Sequence, residues 1–414
     1  MMRTLTEPAT EGSPGPGRIE IETIGGPFDR FTAVLEEFRP GQPEFVVPPD
    51  RFGVSPRRVG ARYSGGEGRS VEVLIPSRIH ASVLDMNRFS AGKCGGGGVG
   101  VAVKLHHRCR VTTTRDPQIT VIGDRPSLAS HFSQLFKQIL DYPGGFEIDL
   151  RDQGRRHVGL GSSIGCICAV SVAINEVLGR PFTNRELRRI IGYNFCEESP
   201  RRNEYLVRAF ETGVGSAVGI YGGWAVASDD LELVHRVALP ETRVIILIPD
   251  VPSLRSEYAG ETTAAQPEAE LLLRRARYLD TRQGYEKAYW VLLELIPAMI
   301  KNDLEAMGKA MMDISFLGSK RAECELHGLD GAIIYRWLGL FRRLGAELVV
   351  LSSVGPAVAA LTRKQETYER ILSHLNENYV SGSRVIQTEV DNVGARIIED
   401  GVERTYQDEG WIGG

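Results

Sequence analysis

Apolar and polar residues alternate with a period of two through much of the first half of the chain, the mark of half-buried strands. Ile19-Glu20-Ile21-Glu22-Thr23-Ile24, Val71-Glu72-Val73-Leu74-Ile75 and Phe146-Glu147-Ile148-Asp149-Leu150 follow this rule, and 99–103 and 118–121 are also strand-like. The period lengthens at 127–140, where Leu128, Phe132, Leu135, Phe136 and Ile139 fall on one helical face. An apolar helix is predicted over 166–178, stopped by Gly179. Another covers 184–195, capped by Thr183 with Glu186 three residues on. The run 242–249 reads as a buried strand that opens a second core. Helical patterns follow at 267–280, 284–300, 302–313 and 330–344, then a strand at 347–352, a turn at Gly355-Pro356 and a small-residue helix at 357–361.

These elements predict an α+β protein of two domains, and no internal repeat is visible. Residues 1–70 are expected to be an N-terminal extension, partly disordered: 1–17 is rich in Pro, Gly, Ser and Thr, and 40–70 reads as an extended connection. The N-terminal domain is expected at 71–240, the C-terminal domain at 241–390 and a tail at 391–414.

With 414 residues the chain exceeds one small core, and 42% hydrophobic with 25% charged residues is the composition of a globular protein. A formal charge of −4 argues against nucleic acid as a partner. No apolar run is long enough to span a bilayer, so no membrane partner is expected, and the six scattered cysteines form no zinc-type spacing. The expected location is the cytoplasm.

Three turns carry candidate chemistry. The strongest is His157-Val158-Gly159-Leu160-Gly161-Ser162-Ser163, between a predicted strand and a predicted helix. Glycines admit an anion close to the backbone, and the helix start offers unpaired N–H groups. Ser162 and Ser163 could add hydroxyls, and Ser162 could ligate a metal ion. The alternative is a plain strand-to-helix turn with serines as caps. No GxxxxGK[ST] loop occurs. The second place is Ser77-Arg78-Ile79-His80 with Asp85 and Asn87, running into Gly95-Gly96-Gly97-Gly98. The third is Ser352-Ser353-Val354-Gly355-Pro356.

In type, order and separation these three turns resemble the motifs of the GHMP superfamily, which includes galactokinase, homoserine kinase and mevalonate kinase. Within it, residues 72–362 resemble the β-ribofuranosylaminobenzene 5′-phosphate synthases. The shared features continue through Gly213-Val214-Gly215, Tyr221-Gly222-Gly223-Trp224, Ile248-Pro249-Asp250-Val251-Pro252 with Gly260-Glu261, and Leu317-Gly318-Ser319-Lys320. The stretch Ala91-Gly92-Lys93-Cys94 departs from the family pattern, which puts the aromatic partner in question.

The resemblance implies a two-domain GHMP-kinase-like fold and a synthase that joins phosphoribosyl pyrophosphate to an aromatic or heteroaromatic carboxylate through carbon. Carbon dioxide and pyrophosphate leave. It implies catalytic roles for Arg78, His80, Asp85, Asn87 and Lys320. Pyrophosphate would bind at Gly96, Gly97, Gly98, Gly159, Leu160, Gly161, Ser162, Ser163, Ser353 and Gly355, with Mg2+ as cofactor and a homodimer as the assembly. Family kinases usually carry an Asp about seven residues before the pair that here is Gly222-Gly223; this chain has Gly215 there. An ATP-dependent small-molecule kinase and a non-catalytic binding protein stay open. So does the acceptor, either a 4-substituted benzoate for a methanopterin-type cofactor or a heteroaromatic carboxylate for a C-nucleoside.

Overall fold

The computed structural model describes residues 18–23, 31–55, 68–88, 94–199, 202–250, 271–327, 331–378 and 382–406. The tail at 1–17, the departing stretch 91–93 and Gly260-Glu261 lie outside the described residues.

A mixed sheet organises the N-terminal domain. Its path runs β10 (Leu233–Val237), β9 (Trp224–Ala227), β4 (Gly98–Thr114), β3 (Ser70–Val83), β15 (Arg396–Glu399) and β16 (Val402–Thr405). The far half of β4 pairs with β6 (Gly145–Arg151), which pairs in parallel with β5 (Ile119–Gly123). Helices α1 (Pro126–Leu140), α2 (Ser162–Val177), α3 (Asn184–Tyr193) and α4 (Val214–Tyr221) belong to the same domain. Every residue of α2 is buried, which explains its largely apolar sequence. Helix α3 starts with the expected reciprocal cap between Thr183 and Glu186.

A second sheet, in the order β12 (Leu348–Leu351), β13 (Val358–Thr362), β11 (Arg243–Ile248) and β14 (Arg384–Glu389), carries the C-terminal domain. Its helices are α5 (Arg277–Tyr289), α6 (Leu304–Ile314), α7 (Gly318–Cys324), α8 (Ile333–Arg343) and α9 (Gln365–Glu377). Helix α5 continues through a wide π turn, Trp290–Leu295, into Ile296–Ile300. The helices expected separately at 267–280 and 284–300 are therefore one rod from 271 onward.

Three further expectations are corrected. Residues 358–362 form a strand rather than a helix, because pairing with β11 and β12 on both sides outweighs the helix preference of its alanines. The segment 76–83 is no turn. It is the second half of β3, paired with β4 through bulges at Pro76/Ser77 and His80/Ser82 that re-aim Arg78 and His80. The segment expected as a tail supplies β15, which pairs with β3, and Tyr406, whose hydroxyl accepts from Asn175 at 2.6 Å.

The segment expected as an extension forms β1 (Arg18–Thr23) and β2 (Phe31–Phe38), which extend a small sheet with β8 (Leu206–Arg208) and β7 (Cys196–Glu198). No helix of the described residues is long and apolar enough to cross a membrane.

Candidate active site

Four pieces of chain meet where the two sheets face each other: β3, the 157–163 turn, the 352–356 turn and α7. The knot is Gly159. Its carbonyl accepts from Arg78 Nη1 at 3.3 Å and from Ser352 Oγ at 2.6 Å. Ser352 Oγ in turn accepts from the His80 backbone N–H at 3.0 Å, and Ser353 N–H donates to the His80 carbonyl at 2.7 Å. A Cβ on Gly161, whose φ is +67°, would lie 2.6 Å from Arg78 Cγ, so the arginine stem lies flat on this turn.

The N–H groups separate the three turns. Among the described residues, no protein acceptor takes the N–H of Gly159, Leu160, Gly161, Ser162 or Ser163. These donors sit at the positive end of a sixteen-residue helix, and Gly159 and Gly161 are half-buried. The other turns place several of their N–H groups on protein acceptors. Gly95 donates to the Glu211 carbonyl and Gly96 to Asp229 Oδ1 at 3.1 Å. In the third turn, Ser352 donates to Ala357 and Gly355 to Ser352.

The side chains around the open turn were only partly foreseen. Ser162 Oγ donates to Asp152 Oδ2 at 2.6 Å. Ser163 Oγ accepts from Arg125 Nη1 at 2.6 Å and donates to Glu197. Asp152 also lies 3.3 Å from His107 Nδ1, whose Nε2 meets Ser77 Oγ at 3.1 Å. Burial opposes ionisation of Asp152, but hydrogen bonds from His107 and Ser162, with the Arg125 charge, hold its carboxyl well below the usual range. Glu198, 3.4 Å from Arg125, is pushed up by burial. Asp152, Arg125, His107, Glu197 and Glu198 escaped sequence reading. The one available signal was an acid directly after a predicted strand and seven residues before Gly159.

His80 is buried, with Nε2 3.1 Å from Thr212 Oγ1. Burial first, then the neighbouring charges of Arg78 and Lys320, drive its pKa well down, so the ring is neutral at pH 7. Lys320, in the short helix α7, is buried. Its ammonium donates to the carbonyls of Leu351 and Ser353, each at 3.1 Å, and pairs with Glu323 at 2.5 Å. It thus holds the third turn in place. Asp85 and Asn87 sit at the end of β3, where Asp85 Oδ1 accepts from both nitrogens of Asn87. Asn87 also donates to the Arg277 carbonyl of α5 at 3.4 Å.

Gly215 occupies the first turn of α4. A Cβ there would lie 2.6 Å from Ile164 Cγ1, so this position has no room for a carboxylate side chain. The nearest acid along the chain, Glu211, is buried, and its Oε1 accepts from Gly213 N–H at 2.8 Å, ahead of α4. Burial raises its pKa.

Residues 127–198 match the family of GHMP kinases N terminal domain. The chain is 28% identical over 306 residues to the β-ribofuranosylphenol 5′-phosphate synthase of Archaeoglobus fulgidus, covering 69% of this chain and 86% of that one. A protein of the same name from Methanocaldococcus jannaschii is 23% identical over 356 residues, with 78% and 99% covered. The chain thus resembles the GHMP kinases over 127–198 and these synthases over most of its length. Solved GHMP-type structures share its fold. Mevalonate diphosphate decarboxylase from Staphylococcus aureus superposes with a TM-score of 0.56 at 16% identity, covering 80% of this chain and 99% of that one. Homoserine kinase from Cytophaga hutchinsonii gives 0.54 at 17% identity, covering 80% and 97%. Within the GHMP fold, the open turn of this chain is the one that begins α2, inside the matched family region.

Proposed function

We propose that this protein is a C-riboside 5′-phosphate synthase of the GHMP superfamily. It joins C1 of phosphoribosyl pyrophosphate to the carboxylate-bearing carbon of an aromatic or heteroaromatic acid. The bond from C1 to pyrophosphate breaks and the new carbon–carbon bond forms. The bond to the carboxylate then breaks, and its electron pair restores aromaticity as carbon dioxide leaves.

The observation that carries this reading is the open 159–163 turn combined with Gly215, where a kinase base has no room. The names of the relatives support it. They are named for a ribofuranosylphenol product, which favours a 4-hydroxybenzoate-type acid over an aminobenzoate; a heteroaromatic acid is the alternative within the same chemistry.

The free N–H groups of Gly159 to Ser163 and the helix end receive the departing pyrophosphate. Arg78 lies along the same turn and adds a fixed positive charge. His80 stays neutral, so it offers a hydrogen bond to ribose or acceptor without placing a cation beside the developing positive charge at C1. Asp85 and Asn87, at the end of the same strand, are positioned for hydroxyl groups.

Ser162 and Asp152, whose oxygens meet at 2.6 Å, would hold Mg2+ beside the turn, with the Arg125 guanidinium 3.7 Å from the same carboxylate oxygen. When bound, it supplies charge neutralisation for the diphosphate oxygens. The protein would act without nucleic acid or membrane, in the cytoplasm.

The test incubates the protein with phosphoribosyl pyrophosphate, Mg2+ and a panel of carboxyl-labelled aromatic acids. Equal release of labelled carbon dioxide and pyrophosphate, with a carbon–carbon bond by NMR, is the expected result. Label retained in a nitrogen- or oxygen-linked product overturns it, and a phosphorylated small molecule formed from ATP returns the protein to the kinases.

A further inference from the structure

Next to Ser162, three separate elements bring one side chain each to a single buried point. His107 comes from β4, Asp152 from the chain directly after β6, and Cys166 from the start of α2. The side chains of His107 and Asp152 are 0% and 1% exposed, and Cys166 is buried. Among the described residues, this is the one group of His, Cys and carboxylate side chains close enough to share a metal ion, with its ligand atoms all within 4.8 Å of one another. Because each ligand belongs to a different element, no spacing along the sequence announces it.

The separations are those of a coordination shell. A tetrahedral ion holds nitrogen and carboxylate oxygen at ~2.0–2.2 Å and sulfur at ~2.3 Å, which sets nitrogen about 3.4 Å from oxygen and about 3.6 Å from sulfur. Here His107 Nδ1 lies 3.3 Å from Asp152 Oδ1 and 3.6 Å from Cys166 Sγ. As a hydrogen bond to a carboxylate the first contact is long, since charge-assisted pairs close to about 2.7–2.9 Å. Asp152 Oδ1, although buried, has no partner of normal hydrogen-bond geometry. The far side of the imidazole is supported as a metal ligand requires. Its Nε2 meets the buried Ser77 Oγ at 3.1 Å, which can take the ring N–H and leave the Nδ1 lone pair facing the cluster. Gly165 lets α2 close on the ring: a Cβ there would lie 2.3 Å from Nε2. A carboxylate and a thiolate together cancel the two charges of a divalent ion, the balance that a buried site needs.

We propose that His107, Asp152 and Cys166 form a site for a divalent transition-metal ion of the zinc class, with water in the fourth position. Imidazole nitrogen and thiolate sulfur select such an ion over Mg2+. The two ions use opposite oxygens of one carboxylate: Mg2+ would share Oδ2 with Ser162, and this ion takes Oδ1. On binding, the Cys166 S–H bond breaks, its electron pair goes to the metal and the proton leaves to solvent. The ion ties β4 to the start of α2 and fixes the carboxylate that holds Ser162. The site does not depend on the reaction assigned above.

The test strips the full chain with a chelator, returns it to excess Mg2+ and titrates it with Zn2+ and, separately, with Co2+ as a spectroscopic probe. One Zn2+ per chain should bind. Co2+ should give a near-ultraviolet thiolate-to-cobalt charge-transfer band with visible bands of four-coordinate intensity. Cys166→Ser should abolish the charge-transfer band and Cys168→Ala should keep it. Ser77→Ala should weaken Zn2+ binding about 10- to 100-fold. No Zn2+ bound in the presence of Mg2+, or a charge-transfer band that survives Cys166→Ser, overturns the proposal. If Cys166→Ser is unfolded by circular dichroism, X-ray absorption of the zinc-loaded native protein decides. One sulfur at about 2.3 Å with nitrogen and oxygen in the remaining positions supports the site, and a shell with no sulfur, or with two, overturns it.

Discussion

Two glycine turns look alike in sequence and differ in what their N–H groups do. Gly95 to Gly98 has four consecutive glycines, yet its first two amides serve the protein: Gly95 and Gly96 donate to Glu211 and Asp229, and the turn is closed by Leu84 and Asp85 donating back to the carbonyls of Gly97 and Gly96. Gly159 to Ser163 has only two glycines, and among the described residues its amides have no protein acceptor. Glycine count therefore measures how tightly chain can approach chain. The capacity to bind an anion depends on whether donors are left over, and that is set by the helix start.

Arg78→Ala should show the largest effect of removing support from the open turn. It loses both the guanidinium at Gly159 and the stem lying on Gly161, and kcat/KM for C-riboside formation should fall about 100-fold or more. Steady-state kinetics with saturating acceptor would show it; a loss under threefold would place the pyrophosphate elsewhere. The double variant Ser162→Ala with Ser163→Ala comes next. Losing a charge-assisted hydrogen bond costs about 1.5–3 kcal/mol, so calorimetry should find donor binding weakened roughly 10- to 100-fold with the fold intact. Binding within twofold of native would remove the hydroxyls from the site.

At the closed turn the pattern should reverse. Gly97 has a φ of +62°, and a Cβ there would meet the Ala227 carbonyl oxygen at 2.4 Å. Gly97→Ala should cost about 1–3 kcal/mol of stability, read as a lower Tm, while the folded fraction binds donor normally. A selective loss of donor affinity with unchanged Tm would make this turn a ligand site after all.

The smallest expected effect concerns pH. The carboxyl of Asp152 is held below its unfolded value, so its contribution is fully present above about pH 4, where an unfolded Asp is ionised, and fades as the pH falls further. Asp152→Asn should lower stability at neutral pH and flatten the acid limb of a Tm-against-pH curve. An unchanged acid limb would mean that Asp152 has no special partners.

Sequence reading placed most strands and helices because their periods were clean, as at 127–140 and 146–150. It failed where partners distant in sequence decided the outcome. Residues 358–362 are a strand only because β11 and β12 flank them, and 396–399 is a strand only because β3 has a free edge. At the site, the turn and its serines were legible because glycine and a following helix leave a local signature. Arg125, Asp152, His107 and Glu197 were not, since they come together around Ser162 and Ser163 from separate elements. Lys320 is brought to the site the same way, by the carbonyls of Leu351 and Ser353 from a distant strand and turn.

The pairing of β15 with β3 also has a consequence for how the protein is made. Val73 lies opposite Ile397, so the central sheet of the N-terminal domain lacks β15 and β16 until residues 396–405 have been synthesised. At a synthesis rate of roughly 5–20 residues per second, β3 waits on the order of half a minute for its partner. During that time its edge is exposed to the ribosome's surroundings, and the C-terminal domain, whose strands all lie between β10 and β15, is complete before the first domain is. The domain that begins first finishes last, and the 391–406 segment is the piece that closes it.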